Sequence, residues 1–229
     1  MIKLTKITDV IKSAFIPFGI YYMANQIVLI FMLSVTGELE NYAQMQSQLS
    51  ITIMKMTAML MAGATVYPYY KLECLKREKI KTEFKKIKNM DLTAIAFAGM
   101  FISLVLNYVF AISGLLESSQ RYQQVAQIQF SVDLVPALIF YAVISPVVEE
   151  VIFRGIVYQS LERNFSSILA IIGSALLFGA FHGNIVQMLY GTFMGSIMAW
   201  IYRRYGKIIT PVLFHAAANA TMYLWSYFF

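Results

Sequence analysis

The sequence predicts an all-α, polytopic membrane bundle of about seven helices, and three observations predict it. Hydrophobic residues make up 59% of the 229-residue chain and charged residues 13%, too few to cover a water-facing surface. Mean hydropathy is +0.64. Apolar stretches of the roughly 17–25 residues that a membrane helix needs recur seven times, at about 13–35, 51–70, 92–113, 134–161, 167–182, 185–202 and 208–229. No fixed-period repeat and no low-complexity linker divides the chain, so residues 1–229 read as a single membrane domain.

The first stretch follows Lys3, Lys6 and Lys12. It is longer than a secretory apolar region and no small-residue cleavage site follows it, so it reads as a retained span. The acidic segment Gly37 to Ser50, with Glu38 and Glu40, reads as an outer loop. The second stretch ends in a run from Lys71 to Lys88 that holds eight of the eighteen Lys and Arg residues. Phe84 is the single aromatic interleaved there, so the run fits anionic lipid headgroups and not a nucleic acid. Cys74, the one cysteine, lies within it and reads as an ordinary thiol; no disulfide or thiolate metal cluster is possible.

Asp91 reads as the N-cap of the third stretch. Ser113 to Asp133 is polar, carries only Arg121 among basic residues, and reads as a second outer loop. The last four stretches are joined by short links with Arg163, and with Arg203, Arg204 and Lys207. Fifteen of the eighteen basic residues then flank one side; Lys55 and Arg121 lie on the other and Arg154 falls inside a span. The positive-inside rule places the N-terminus in the cytoplasm and the C-terminus outside, for a multi-pass protein of a bacterial cell membrane. Six spans plus a re-entrant segment around His182–Gly183–Asn184 is the alternative, and it reverses the C-terminal side. Gly179 and Gly183, and Gly191 and Gly195, are each four apart, a spacing for close helix packing.

An ionisable side chain at the bilayer centre costs on the order of 2.5–3.5 kcal/mol on insertion scales. Glu149, Glu150 and Arg154 all fall within the fourth stretch, in Val147-Val-Glu-Glu-Val-Ile-Phe-Arg-Gly155. Glu150 and Arg154, at i and i+4 with the acid first, form the natural pair. Glu149 points about 100° away around the helix and is the carboxylate left over, in surroundings that disfavour its charged form and suit a general base. Pro146 leaves the carbonyl of Ala142 without its helical donor, and the kink could admit water near Glu149.

The two histidines, His182 in Phe178-Gly-Ala-Phe-His182 and His215 in Phe214-His-Ala-Ala-Ala-Asn219, both sit in apolar stretches. One membrane histidine is ordinarily an interhelical hydrogen bond; two beside an unpaired glutamate point to chemistry. His215 and Asn219 are one turn apart on one face, separated by alanines that let a backbone come close. Phe178, one turn before His182, reads as the ring that orients it. Counting about 1.5 Å per residue from the basic flank puts Glu149 about 21 Å deep, His215 about 12 Å and His182 about 24 Å, so tilt is needed to bring the imidazoles level.

The three stretches Glu-Glu-x-x-x-Arg, Phe-x-x-x-His and His-x-x-x-Asn, in this order and each on its own apolar helix, resemble the CAAX protease and bacteriocin-processing (Abi) family of intramembrane endopeptidases. The resemblance covers about 136–220, the expected catalytic core. It implies that Glu149 activates water with His182 assisting, that Glu150 and Arg154 form a supporting pair, and that His215 and Asn219 polarise the scissile carbonyl and stabilise the oxyanion. The family is commonly described as metalloproteases. A zinc ion here would need His182, His215 and Glu149 together, leaving no free base, and no His-Glu-x-x-His arrangement exists, so a cofactor-free mechanism is expected. The expected substrate is a membrane-associated peptide or protein, such as a peptide signal or bacteriocin precursor, with the lipid bilayer as the other partner and no nucleic acid. The alternative is a non-hydrolytic membrane protein that gives bacteriocin immunity or scaffolds a partner. A proton-coupled transporter is a third reading, disfavoured by the missing repeats.

Overall fold

The computed structural model describes residues 2–36, 48–78 and 84–228. The acidic segment with Glu38 and Glu40, and Lys79 and Lys81 of the basic run, lie outside the described residues. Among the described residues, eight helices follow one another, besides a single turn at Leu115–Ser118. α1 is α-helical over Ile2–Val10, wider π-helical over Ile11–Phe15 and α-helical again over Ile16–Val35. α2 covers Gln48–Glu78, α3 Asn89–Ile112, α4 Gln120–Phe130, α5 Leu134–Asn164, α6 Ser167–Phe181, α7 Ile185–Tyr205 and α8 Ile209–Phe228. All seven apolar stretches are helical. Among the described residues, four helices are long and apolar enough to cross a membrane: Leu4–Val35, Asn89–Ile112, Leu134–Asn164 and Ile185–Tyr205, with Ser167–Phe181 apolar but shorter.

Packing inverts the pattern of a water-soluble protein. Phe31, Phe101, Ile112 and Ile168 are each more than 60% exposed on the outer faces of α1, α3 and α6, where only lipid would cover them without cost. The charged Glu150 and Arg154 are instead 0% exposed. α5 is the central helix: it touches α1, α2, α6, α7 and α8, and its Ile152, Phe153 and Ile156 are buried in the core with Tyr21, Phe178, Met198 and Phe214. α1 pairs with α2, α3 with α8, and α6 with α7. In the α3–α8 pair a Cβ on Gly99 would collide with the carbonyl of Phe214, so only glycine permits this approach.

The α6–α7 pair is a hairpin turned at His182–Gly183–Asn184. Gly183 has φ +72, the left-handed region that glycine enters without penalty, and Asn184 caps α7 by accepting the Gln187 N–H at 2.9 Å. Gly183 is thus a turn residue and not the packing residue its spacing suggested. Gly179, Gly191 and Gly195 do pack closely: a Cβ on Gly179 would meet Met188 and Thr192, and one on Gly191 would lie 3.2 Å from the Gly179 Cα.

Two sequence expectations are corrected here. The N-cap of α3 is Lys88, and Asp91 sits at the third helical position, where its carboxylate accepts the Lys88 N–H at 3.0 Å and Lys85 Nζ at 2.6 Å. A carboxylate in the first turn still satisfies orphan donors, which is why the two arrangements look alike in sequence. Segment 113–133 is more than a loop, because it contains α4, capped by Ser119 accepting from the Tyr122 N–H. At the basic end, Arg163 of α5 bonds Glu73 of α2 and reaches Asp9 of α1 at 3.4 Å, tying three helices together.

Candidate active site

The backbone of α5 is unusual on both sides of its acidic pair. Leu138–Ile144 and Phe153–Tyr158 are π-helical, flanking the α-helical Ser145–Ile152; single π-turns of this kind frequently mark functional sites. The π register changes which carbonyl Pro146 orphans. Ser145 N–H bonds the carbonyl of Phe140, five residues back, so the next donor in the series would serve Tyr141, and that residue is Pro146, which has no N–H. Asn219 of α8 fills the gap, donating from Nδ2 to the Tyr141 carbonyl at 2.7 Å. One of the two Asn219 amide hydrogens is committed there, leaving the other.

Glu150 and Arg154 form the expected pair, Nη1 to Oε1 at 2.9 Å with both side chains fully buried. Arg154 is held further by donating from Nη2 to the Gly195 carbonyl at 3.0 Å and by lying 4.6 Å from the Phe178 ring centroid. A Cβ on Gly195 would press on both Arg154 and Phe178, so this glycine makes room for the guanidinium. Glu150 has a second partner that the sequence did not indicate: His215 Nδ1 lies 2.9 Å from the same Oε1. A carboxylate can only accept, so Nδ1 carries the hydrogen and Nε2 is the nitrogen left for chemistry. That Nε2 faces Glu149 Oε2 at 3.8 Å, beyond a direct hydrogen bond. Glu149 itself is 6% exposed and its Oε1 accepts from the hydroxyl of Ser145, one turn earlier, at 2.5 Å.

His182 is arranged like His215. Its Nδ1 bonds the carbonyl of Phe178 at 2.9 Å, so its Nε2 is likewise free of that bond. The Phe178 ring stands edge-to-face to both imidazoles, at centroid distances of 5.0 Å to His182 and 5.6 Å to His215. The two histidines, apparently at different depths in sequence, therefore meet across one phenyl ring. Glu149, His182, His215 and Asn219 line a single cavity of about 660 Å³, with Phe178 and Ser145 also in its wall.

Several other groups in that wall escaped sequence reasoning. Tyr21 of α1 is 0% exposed and its hydroxyl has no partner among the described residues; nothing in an apolar stretch distinguishes such a tyrosine from core. Lys55 and Arg121, which stood out only as exceptions to the charge rule, line the cavity too. α4 covers it with Tyr122, Val125, Ala126 and Gln129, an i, i+3, i+4, i+7 spacing that was legible as one face of a helix. A catalytic zinc normally takes three protein donors, and among the described residues no three His, Cys, Asp or Glu side chains are grouped to hold a metal ion. His182, His215 and Glu149 as arranged do not fit one.

Comparison with known proteins adds an independent line. Residues 131–221 match the family model described as type II CAAX prenyl endopeptidase Rce1-like, a segment that begins just before α5 and ends in α8. Over 133 residues the chain is 31% identical to a protein of Bacillus subtilis (strain 168) named "Putative membrane peptidase YdiL", covering 54% of this chain and 52% of that protein. The chain thus spans about half the length of the curated relative it matches. No solved structure matches. The three motif stretches all fall inside the segment matched by the family model.

Proposed function

We propose that this protein is an intramembrane endopeptidase that hydrolyses a membrane-associated peptide, or the end of a membrane-anchored protein, with water activated by Glu149. The observation that carries the reading is the Glu150–His215–Glu149 arrangement: Glu150 fixes His215 through Nδ1, and the remaining nitrogen is presented beside the second carboxylate. A carboxylate that orients an imidazole is the logic of a catalytic triad, here placed next to a base.

In this reading Glu149 takes a proton from water, and the resulting hydroxide attacks the scissile carbonyl. As the tetrahedral intermediate collapses, the proton passes from Glu149 to the leaving amine, so that one water is consumed and one acid and one amine are released. Ser145 holds the Glu149 carboxyl in position through its hydrogen bond. His182 assists the water. His215, when Nε2 is protonated, balances its charge against Glu150 and donates to the developing oxyanion. Asn219 offers its second amide hydrogen to the same oxygen, and the Tyr21 hydroxyl is a further donor in the wall. No step passes through a metal.

The test is comparison of peptides from membranes carrying the wild type or Glu149→Gln by mass spectrometry. An endopeptidase shifts a peptide terminus only in the wild type, with equal folded protein in both. A binding or immunity protein keeps its phenotype in Glu149→Gln and shifts no terminus. Activity of purified protein is expected to survive chelator; loss with chelator and return with zinc would overturn the metal-free mechanism.

A further inference from the structure

A second cavity, of about 630 Å³, lies at the basic end of the bundle and shares no lining residue with the cavity that holds Glu149 and the histidines. Its wall includes Arg77, Phe84, Lys85, Gln159, Trp200 and Arg204, together with Glu162, Arg163 and Arg203. Most of these cations are already balanced. Lys85 is bonded to Asp91, Arg163 to Glu73, and Arg203 Nε lies 3.8 Å from Glu162. Arg77 and Arg204 have no carboxylate partner among the described residues.

Both guanidinium groups are held on aromatic rings, and Arg77 Nη1 also donates to the Gly206 carbonyl at 3.3 Å. Arg77 lies 4.4 Å from the centroids of both Phe84 and Tyr202, and Arg204 lies 5.8 Å from that of Trp200. Such stacking fixes the fork while leaving further in-plane donors for an anion, and phosphate is the anion that guanidinium matches best. A further group asks for the opposite partner. Gln159 is 3% exposed and its Nε2 donates to the Gly155 carbonyl and the Tyr202 hydroxyl, both at 2.8 Å, whereas its Oε1 is buried without a partner. An unfilled acceptor in the same wall calls for a hydroxyl donor on the ligand. Trp200 is half exposed on α7, next to the arginines that end this helix, as aromatic residues at the headgroup level of a membrane are.

We propose that this cavity binds a glycerophosphate group, its phosphate on Arg77 and Arg204 and a hydroxyl on Gln159 Oε1, supplied by the headgroup of an anionic phospholipid of the phosphatidylglycerol type. The site stands apart from the proposed peptidase chemistry, and its test reads binding alone.

The full chain, purified in detergent, is exposed in separate arms to phosphatidylglycerol, phosphatidic acid, phosphatidylcholine and glycerol 3-phosphate, and bound adducts are counted by native mass spectrometry. Phosphatidylglycerol is expected to be retained over phosphatidylcholine. Arg204→Gln, at an exposed position that leaves the core untouched, lowers that retention about fivefold, while Lys207→Gln, an equal loss of charge outside the cavity wall, leaves it unchanged. Gln159→Leu removes the preference for phosphatidylglycerol over phosphatidic acid. Binding of glycerol 3-phosphate as tight as that of the lipid would keep the phosphate site and overturn the lipid as its source. Equal retention of the two phospholipids, or equal loss in Arg204→Gln and Lys207→Gln, would overturn the site in favour of diffuse attraction.

Discussion

Nδ1 of His215 on α8 and Oε1 of Glu150 on α5 lie 2.9 Å apart, and the same oxygen receives Nη1 of Arg154 at 2.9 Å. One carboxylate oxygen thus joins two helices that are 65 residues apart in sequence and turns an expected ion pair into a three-member buried network. Removing one member of a buried network leaves its partners charged and without compensation.

Arg154→Met should therefore destabilise the protein by about 3–5 kcal/mol, read as a drop in the thermal midpoint in detergent. Arg154→Lys should recover little, because an ammonium cannot reach Glu150, the Gly195 carbonyl and the Phe178 ring face from one planar group. Full stability in Arg154→Lys would show that charge alone suffices.

The bond from Asn219 to the Tyr141 carbonyl predicts a coupling between Asn219 and Pro146. Asn219→Ala removes this donor from the Tyr141 carbonyl and should cost about 1–3 kcal/mol. Pro146→Ala supplies the missing N–H in the π register. In Pro146→Ala, Asn219→Ala should then cost at least 1 kcal/mol less than in the wild type, measured as a double-mutant cycle on unfolding. Strict additivity would mean that the π register does not hold there.

Two glycines at helical positions should respond in opposite directions. A Cβ on Gly179 meets the Met188 carbonyl and Thr192 across the α6–α7 hairpin, while one on Gly19 meets nothing within 4 Å. Gly179→Ala should lose about 1–3 kcal/mol by overpacking, and Gly19→Ala should gain about 0.5–1 kcal/mol from helix propensity. Equal melting points for the two variants would show that α6 and α7 are further apart than described.

Tyr21→Phe separates a chemical role from a packing role. The hydroxyl has no partner among the described residues, so its removal should leave the thermal midpoint unchanged or raised. If it donates to the oxyanion as proposed, kcat falls by about 10- to 100-fold with KM little altered. An unchanged kcat would return Tyr21 to the core.

Much of the site was written in local spacing. Glu150 with Arg154, His215 with Asn219 and Phe178 with His182 are all i and i+4 pairs, and helix geometry alone sets members of such pairs on one face. What eluded sequence reasoning depends on register or on contacts between distant segments. The N-cap assignment at Asp91 slipped because a first-turn carboxylate serves either position. α4 reads as loop in the sequence because its cavity-facing residues, Tyr122, Val125, Ala126 and Gln129, are few and only partly apolar.

The sequence by itself determined an all-helical membrane bundle, because continuous apolar stretches of this length suit helices, whereas a barrel strand needs only about 9–11 residues, and it singled out Glu149, Glu150, Arg154, His182 and His215 as ionisable groups out of place in lipid. Only the tertiary structure decided that Glu150 is shared between Arg154 and His215, that Asn219 serves Tyr141, and that Tyr21 belongs to the cavity wall. Each of these joins residues on different helices, and the distance across a helix interface is fixed by packing, which no pattern along one strand of sequence encodes.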